Sequence, residues 1–151
     1  MLDVPSGAAG AYEVVAHLKA GGMANLYLAL RKGAAGFSRL VAVKVIHPDM
    51  AEDQHAVEMF VQEARITAQI AHPNVVHVED LGEVSGTYFL VMEYIHGGTL
   101  AQLLNALSRN KRRLAPEDAV AIAARIAEGL HAAHEVTDVS GRLLRLVHRD
   151  V

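Results

Sequence analysis

The sequence predicts an α+β chain in which strands and one helix come first and helices follow. Three observations carry this. The first half holds short segments rich in β-branched and aliphatic residues, cut by glycine-containing turns. Among them, Glu52 to Ile70 runs without proline or glycine and repeats its apolar residues at helical spacing. After Gly97-Gly98 the pattern is helical alone, so a boundary resembling a hinge between two lobes is expected there.

Residues 1–11, with the small-residue run Ser6 to Ala11, read as a flexible leader, and residues 12–96 as the strand-rich lobe. YEVVAHL from Tyr12, NLYLALRKG from Asn25 and SRLVAVKVI from Ser38 predict three strands in an antiparallel meander, with Gly21-Gly22 and Gly33 to Phe37 as turns. The helix over 52–70 closes at His72-Pro73, because proline disfavours helix in the residue before it. VVHVEDLGEV and TYFLVMEYI predict two more strands, joined at Ser85-Gly86. Residues 97–151 then hold TLAQLLNALS, which Thr99 can cap, and a longer helix from Ala115 to His134 with Pro116 near its first turn.

Composition narrows the chemistry. A formal net charge of -3 over 151 residues gives no general attraction to nucleic acid or to an anionic membrane, so any phosphate chemistry must be local. The absence of cysteine excludes disulfides, thiolate nucleophiles and thiolate metal sites. No stretch approaches the roughly 20 apolar residues that span a bilayer, so a soluble chain is expected, and the lack of cysteine is compatible with a reducing cytoplasm.

Two charged residues sit in apolar surroundings. Lys44 interrupts LVAVKVI, a run with both faces oily, as in a strand covered on both sides. It is either an edge lysine with a packed stem and a hydrated ammonium, or a cation that needs a nearby anion, since burying an unpaired charge is costly. Glu63 is the candidate anion. On the 52–70 helix, Val57, Phe60, Val61, Ala64 and Ala68 form one apolar stripe; Met59, Ile66 and Ile70 lie on a second, with Glu63 among them, so the helix is expected to be covered on two sides. Glu63 is either an acid at that stripe's edge or the partner of Lys44. An ion pair between them resolves both anomalies and is expected. Gly21-Gly22 either closes a plain hairpin or lets the backbone approach a ligand and turn its N–H groups toward phosphate oxygens.

Taken in order, a glycine turn, a strand lysine, a helix acid, a glycine pair, and His148-Arg149-Asp150 after a long helix are specific together. In this the chain resembles the protein kinase family, in particular bacterial serine/threonine kinases. AGGMANLY looks like the glycine-rich loop, VAVK like the strand lysine, MFVQEA like the helix glutamate, HPNVV like the turn after it, VMEY like the hinge and HRD like the start of the catalytic loop. The resemblance implies a kinase-type N-lobe, a five-stranded antiparallel sheet with one αC-type helix, followed by the first helices of an incomplete helical C-lobe. It implies that Lys44 holds the α- and β-phosphates of ATP, that Glu63 orients Lys44, and that Asp150 accepts or orients the proton of the attacking hydroxyl. Gly21 and Gly22 would cover the phosphates, Leu18, Leu26 and Ala42 would roof the adenine, Met92 would be gatekeeper, and the backbone of Glu93 and Ile95 would bond the base. The implied activity is phosphoryl transfer from Mg-ATP to serine or threonine hydroxyls of a protein substrate, whose identity these residues do not specify.

The chain departs from the family pattern in places. In G-x-G-x-x-G only Gly21 matches, with Lys19 and Ala24 at the outer glycine positions. A stiffer loop is expected, and the alternative reading is a pseudokinase or kinase-like binding module with weak or no nucleotide binding. Asp80-Leu81-Gly82 imitates D-F-G in letters but precedes the hinge and lies in a strand region, a coincidence. Ser140-Gly141 suggests a small hairpin between the long helix and HRD. The chain ends inside the catalytic loop, before the asparagine and D-F-G that hold Mg²⁺ in the family, so no metal ligand is expected within it and the isolated chain is expected to be inactive. Val120, Ile122, Ala123, Ile126, Ala127 and Leu130 leave the long helix apolar around much of its circumference, and self-association through it is expected.

Overall fold

The computed structural model describes residues 12–138, 140–144 and 146; the leader and the HRD triplet, including Asp150, lie outside them. The chain divides into two compact units. One takes it through Gln69 and again from Val76 to Tyr94, and the other holds Ile70–Val75 and the chain from Ile95 onward.

In the first unit, β1 (Tyr12–Ala20), β2 (Ala24–Lys32) and β3 (Ser38–Ile46) form the expected meander, and β4 (Val78–Val84) and β5 (Thr87–Glu93) a hairpin. Ser85 and Gly86 turn that hairpin with φ of 50° and 79°, as a two-residue type I′ turn requires. The sheet order is β1-β2-β3-β5-β4, so β5 rather than β4 pairs with β3. Alternation sorts the side chains of β3. Val41, Val43 and Val45 join Tyr27, Ala29, Phe89 and Val91 on one face, while Ile46 joins Ala24, Phe60, Ala64, Val78 and Leu90 on the other. Both faces are covered, which is why the whole run is oily.

The two faces are covered by different means. A helix closes the second, while the sheet closes the first by curling until its edge strands meet. The Tyr12 ring stands edge-on to Phe89 at 6.2 Å, and its hydroxyl donates to Asp80 of β4 at 3.3 Å. Arg31 of β2, at 3.1 Å, and Arg39 of β3 converge on Glu79 of β4, whose side chain is almost fully buried. A short turn of helix, α1 (Pro48–Ala51), precedes the covering helix α2 (Gln54–Thr67).

Helix α2 is shorter than the expected 52–70 at both ends. The Asp53 carboxylate accepts from the N–H groups of His55 and Ala56 at 2.9 and 3.4 Å, which fixes the start. At the other end the Gln69 N–H bonds the Ile66 carbonyl, a tightened last turn. Phe60 and Ala64 are buried as the first stripe requires, but Met59 is 48% exposed and the Glu63 side chain 54%. The expectation of a helix covered on two sides is therefore corrected: one face packs, and Glu63 stands on the wet one.

In the second unit, α3 (Leu100–Arg109) opens with a capping box in which Thr99 Oγ1 accepts from Gln102 N–H and Gln102 Oε1 accepts from Thr99 N–H. Pro116 opens α4 (Pro116–His134). Asn74 lies against α4, donating to the Arg125 carbonyl at 3.0 Å and the Glu128 carboxylate at 2.9 Å. Bonds from Arg125 and then Asn74 hold the Glu128 carboxyl below the usual carboxylate range. Past α4, Thr137 bridges Leu143 around the Ser140-Gly141 turn, and the Asp138 carboxylate accepts from the N–H groups of Ser140 and Arg142, forming the small hairpin. Among the described residues no helix is long and apolar enough to cross a membrane.

Candidate functional site

Lys44 projects from the α2 face of β3, and its Nζ donates to both Glu63 oxygens, at 2.8 and 3.0 Å. The Phe60 ring, one turn before Glu63, lies 5.5 Å from the same nitrogen. The side chains are 27% and 54% exposed, and an ion pair as wet as this contributes only about 0–1 kcal/mol to stability. Stability does not explain it. An ammonium has three donors, so two bonds to Glu63 leave one for an anion approaching from solvent.

The neighbours of Lys44 on this face follow from register. Leu26 lies opposite Lys44 and Leu28 opposite Ala42 across β2–β3, and Met92 lies opposite Ala42 across β3–β5. Three of the sequence-predicted adenine contacts, Leu26, Ala42 and Met92, thus share the face that carries the lysine. Leu18 falls where the β1–β2 register shifts between His17 and Lys19 and is 41% exposed. The N–H of Glu93 is engaged with the His77 carbonyl at 3.0 Å, so a base contact there would have to use its own carbonyl. Ile95 belongs to the second unit and is 63% exposed.

The two glycines between β1 and β2 differ. Gly21 donates its N–H to the Ala24 carbonyl at 3.1 Å, and a Cβ there would lie 2.8 Å from that oxygen, so the turn itself requires glycine. A Cβ on Gly22 would meet nothing within 4 Å. The structure gives Gly22 no packing reason to be glycine, and among the described residues neither Gly22 nor Met23 has a partner for its N–H. Ala24, at an outer glycine position of the loop pattern, is buried against the α2-side core.

Sequence reasoning missed two residues beside this turn, His47 and Asn25. The His47 N–H extends the ladder to the Met23 carbonyl at 3.0 Å, its Nε2 lies 2.8 Å from the Gly21 carbonyl, and its Nδ1 lies 3.4 Å from Asn25 Nδ2. No periodicity marks them, because they act at strand ends; only the pairing of Ala24 with Ile46 brings them together. Asp80-Leu81-Gly82 is structural: Asp80 receives the Tyr12 hydroxyl, and the Phe89 ring occupies the space above Gly82.

Comparison with known proteins gives the same picture. The protein kinase domain family matches residues 12–151. Tyrosine-protein kinase MasK of Myxococcus xanthus is 39% identical over 142 residues, covering 94% of this chain and 22% of that protein. Serine/threonine-protein kinase PrkC of Bacillus subtilis is 34% identical, covering 94% and 20%. The crystal structure of the Mycobacterium tuberculosis PknI kinase domain superposes with a TM-score of 0.67 at 31% identity, over 93% of this chain and 52% of that one. The chain thus spans about a fifth of those curated relatives and about half of the solved kinase domain. Its strand order, its Lys44–Glu63 pair and a match running from Tyr12 to Val151 lead to one conclusion: the chain belongs to the protein kinase family.

Proposed function

We propose that the chain forms the nucleotide-holding part of an ATP-dependent protein kinase that phosphorylates serine or threonine hydroxyls. The observation that supports this most is the Lys44–Glu63 pair, too exposed to be a stability device and left with a spare donor. Bound ATP supplies the γ-phosphoryl group. Lys44 neutralises the α- and β-phosphates, Glu63 holds Lys44 extended, and the unclaimed N–H groups of Gly22 and Met23 suit phosphate oxygens. Leu26, Ala42 and Met92 offer the base an apolar face. Asp150 takes the proton of the substrate hydroxyl as its oxygen bonds to the γ-phosphorus and ADP leaves. No group of three or more His, Asp or Glu among the described residues could hold a metal, and by family resemblance the Mg²⁺ ligands follow HRD. Dependence on ATP implies a cytoplasmic setting. Self-association through α4 rests on Val120 and Ile126, which are 69% and 41% exposed.

The pseudokinase reading is favoured by one observation, the burial of Ala24 where the loop pattern has glycine, which stiffens the turn. Radiolabelled ATP transfer to a basic protein decides, using the protein expressed from its natural reading frame beside Lys44→Ala. The expected result is labelled phosphoserine or phosphothreonine, reduced roughly a hundredfold or more by the substitution. ATP binding without transfer would establish the pseudokinase, and phosphotyrosine, the chemistry in MasK's name, would overturn the hydroxyl specificity.

A further inference from the structure

We propose that His47 is a positioning residue whose ring aims the Gly22 N–H at a bound phosphate, standing in for the glycines this loop lacks. The inference rests on the nucleotide reading above. A peptide unit is planar and trans, so the Gly21 carbonyl and the Gly22 N–H point in opposite directions from one rigid plate. Whatever holds the carbonyl aims the N–H. His47 Nε2 holds that carbonyl at 2.8 Å, and the His47 backbone N–H holds the next carbonyl but one, that of Met23, at 3.0 Å. Both bonds take acceptors from the turn, and the N–H groups of Gly22 and Met23 stay unclaimed among the described residues. A turn with the Gly21 and Met23 carbonyls tied and the N–H groups of Gly22 and Met23 free is an anion-holding arrangement.

The tautomer is fixed by the partners. A carbonyl can only accept, so Nε2 carries the hydrogen, and Nδ1 accepts from the Asn25 amide at 3.4 Å. Asn25 lies in register with Val45, on the side of the sheet opposite Leu26 and Lys44. The ring therefore grips the turn from the side away from the lysine and does not compete with it for a phosphate. In a loop with three glycines the backbone is free to fold onto the ligand after it binds. Here Lys19 and Ala24 remove that freedom, and His47 sets the geometry beforehand.

Calorimetry on the protein expressed from its natural reading frame tests this with two probes, ATP and adenosine, which lacks phosphates. His47→Ala is expected to weaken ATP about tenfold, the worth of one well-placed hydrogen bond, and to leave adenosine unchanged. His47→Gln, which keeps an N–H donor at similar reach, is expected to recover ATP binding to within about threefold of the parent. Equal weakening of both ligands, or an unchanged ATP affinity in His47→Ala, overturns the proposal and leaves the nucleotide reading intact. A parent protein that binds neither probe sinks both. Should His47→Ala fail to fold, Asn25→Ala carries the test: it frees the ring to rotate, and a loss for ATP but not adenosine is expected, equal affinities being the contrary result.

Discussion

Glu63 shows how much one side chain's surroundings decide. Its side chain is more than half exposed, so removing its charge should cost the fold little, while Lys44 would lose what holds it in place. Glu63→Gln is expected to change the unfolding free energy by less than about 1 kcal/mol in urea titration. Under the proposed function, the same substitution should lower phosphoryl transfer roughly a hundredfold, the penalty of slightly misplacing Lys44. Equal losses of stability and activity would contradict this division. Gly82 is the opposite case. A Cβ there would run into the ring of Phe89, which is buried in the core and cannot swing away cheaply. Gly82→Ala should therefore destabilise the first unit by about 1–3 kcal/mol, measured by the same titration, with no separate effect on nucleotide affinity.

The elements were legible where periodicity or capping chemistry spoke locally. The meander, the Ser85-Gly86 turn, the Thr99 cap and the Pro116 start could be read because each depends on adjacent residues. The limits of α2 and its wet second face could not, since they depend on the Asp53 cap and on what packs against Met59 and Glu63. The Lys44–Glu63 pair was legible from Lys44, a charge in an oily strand, whereas the other reason for it, an acid within a covered stripe, did not hold because Glu63 stands on the wet face of α2; His47 was not legible, because a histidine after a strand breaks no pattern. Helix α3 ends in a way the sequence conceals. Arg112 N–H bonds Leu107 O and Lys111 N–H bonds Ser108 O, a Schellman ending, yet its left-handed residue is Lys111 at φ 53°. Lys111→Gly is expected to stabilise the second unit by about 0.5–1 kcal/mol, read as a rise in melting temperature, because glycine adopts that conformation without the Cβ penalty. In the same unit, Glu128 fastens Asn74 to α4 with a lowered carboxyl pKa. Its contribution is present above the unfolded-state pKa and is lost as pH falls through the lower folded value. The stability difference between the parent and Glu128→Gln should therefore shrink in acid below the usual carboxylate range, and a difference that grew there would reverse the sign of the assignment.

At the scale of the molecule, each unit owes its order to contacts from distant parts of the sequence. The curl of the first unit joins β1 to β4 through Tyr12 and Asp80, and the second draws Ile70–Val75 onto α4 through Asn74. The strand order has a kinetic consequence. Three of the four ladders join strands adjacent in sequence, whereas β3 with β5 must close a loop containing α1, α2 and β4. Loop closure opposes folding until the contacts across it form, so this ladder is expected to set the height of the barrier. Val43→Ala and Val91→Ala, paired at its centre and both fully buried, should slow refolding in stopped-flow experiments. Ala29→Gly, buried in the local β1–β2–β3 meander, should mainly hasten unfolding; the reverse pattern would place the nucleus in the meander. Lys44 pairs with Leu90 in the slow ladder, and Leu90 packs in one cluster with Phe60 of α2. A newly made chain is therefore expected to gain its lysine–glutamate contact only at the rate-limiting step of folding, so that the site proposed for the nucleotide is assembled last.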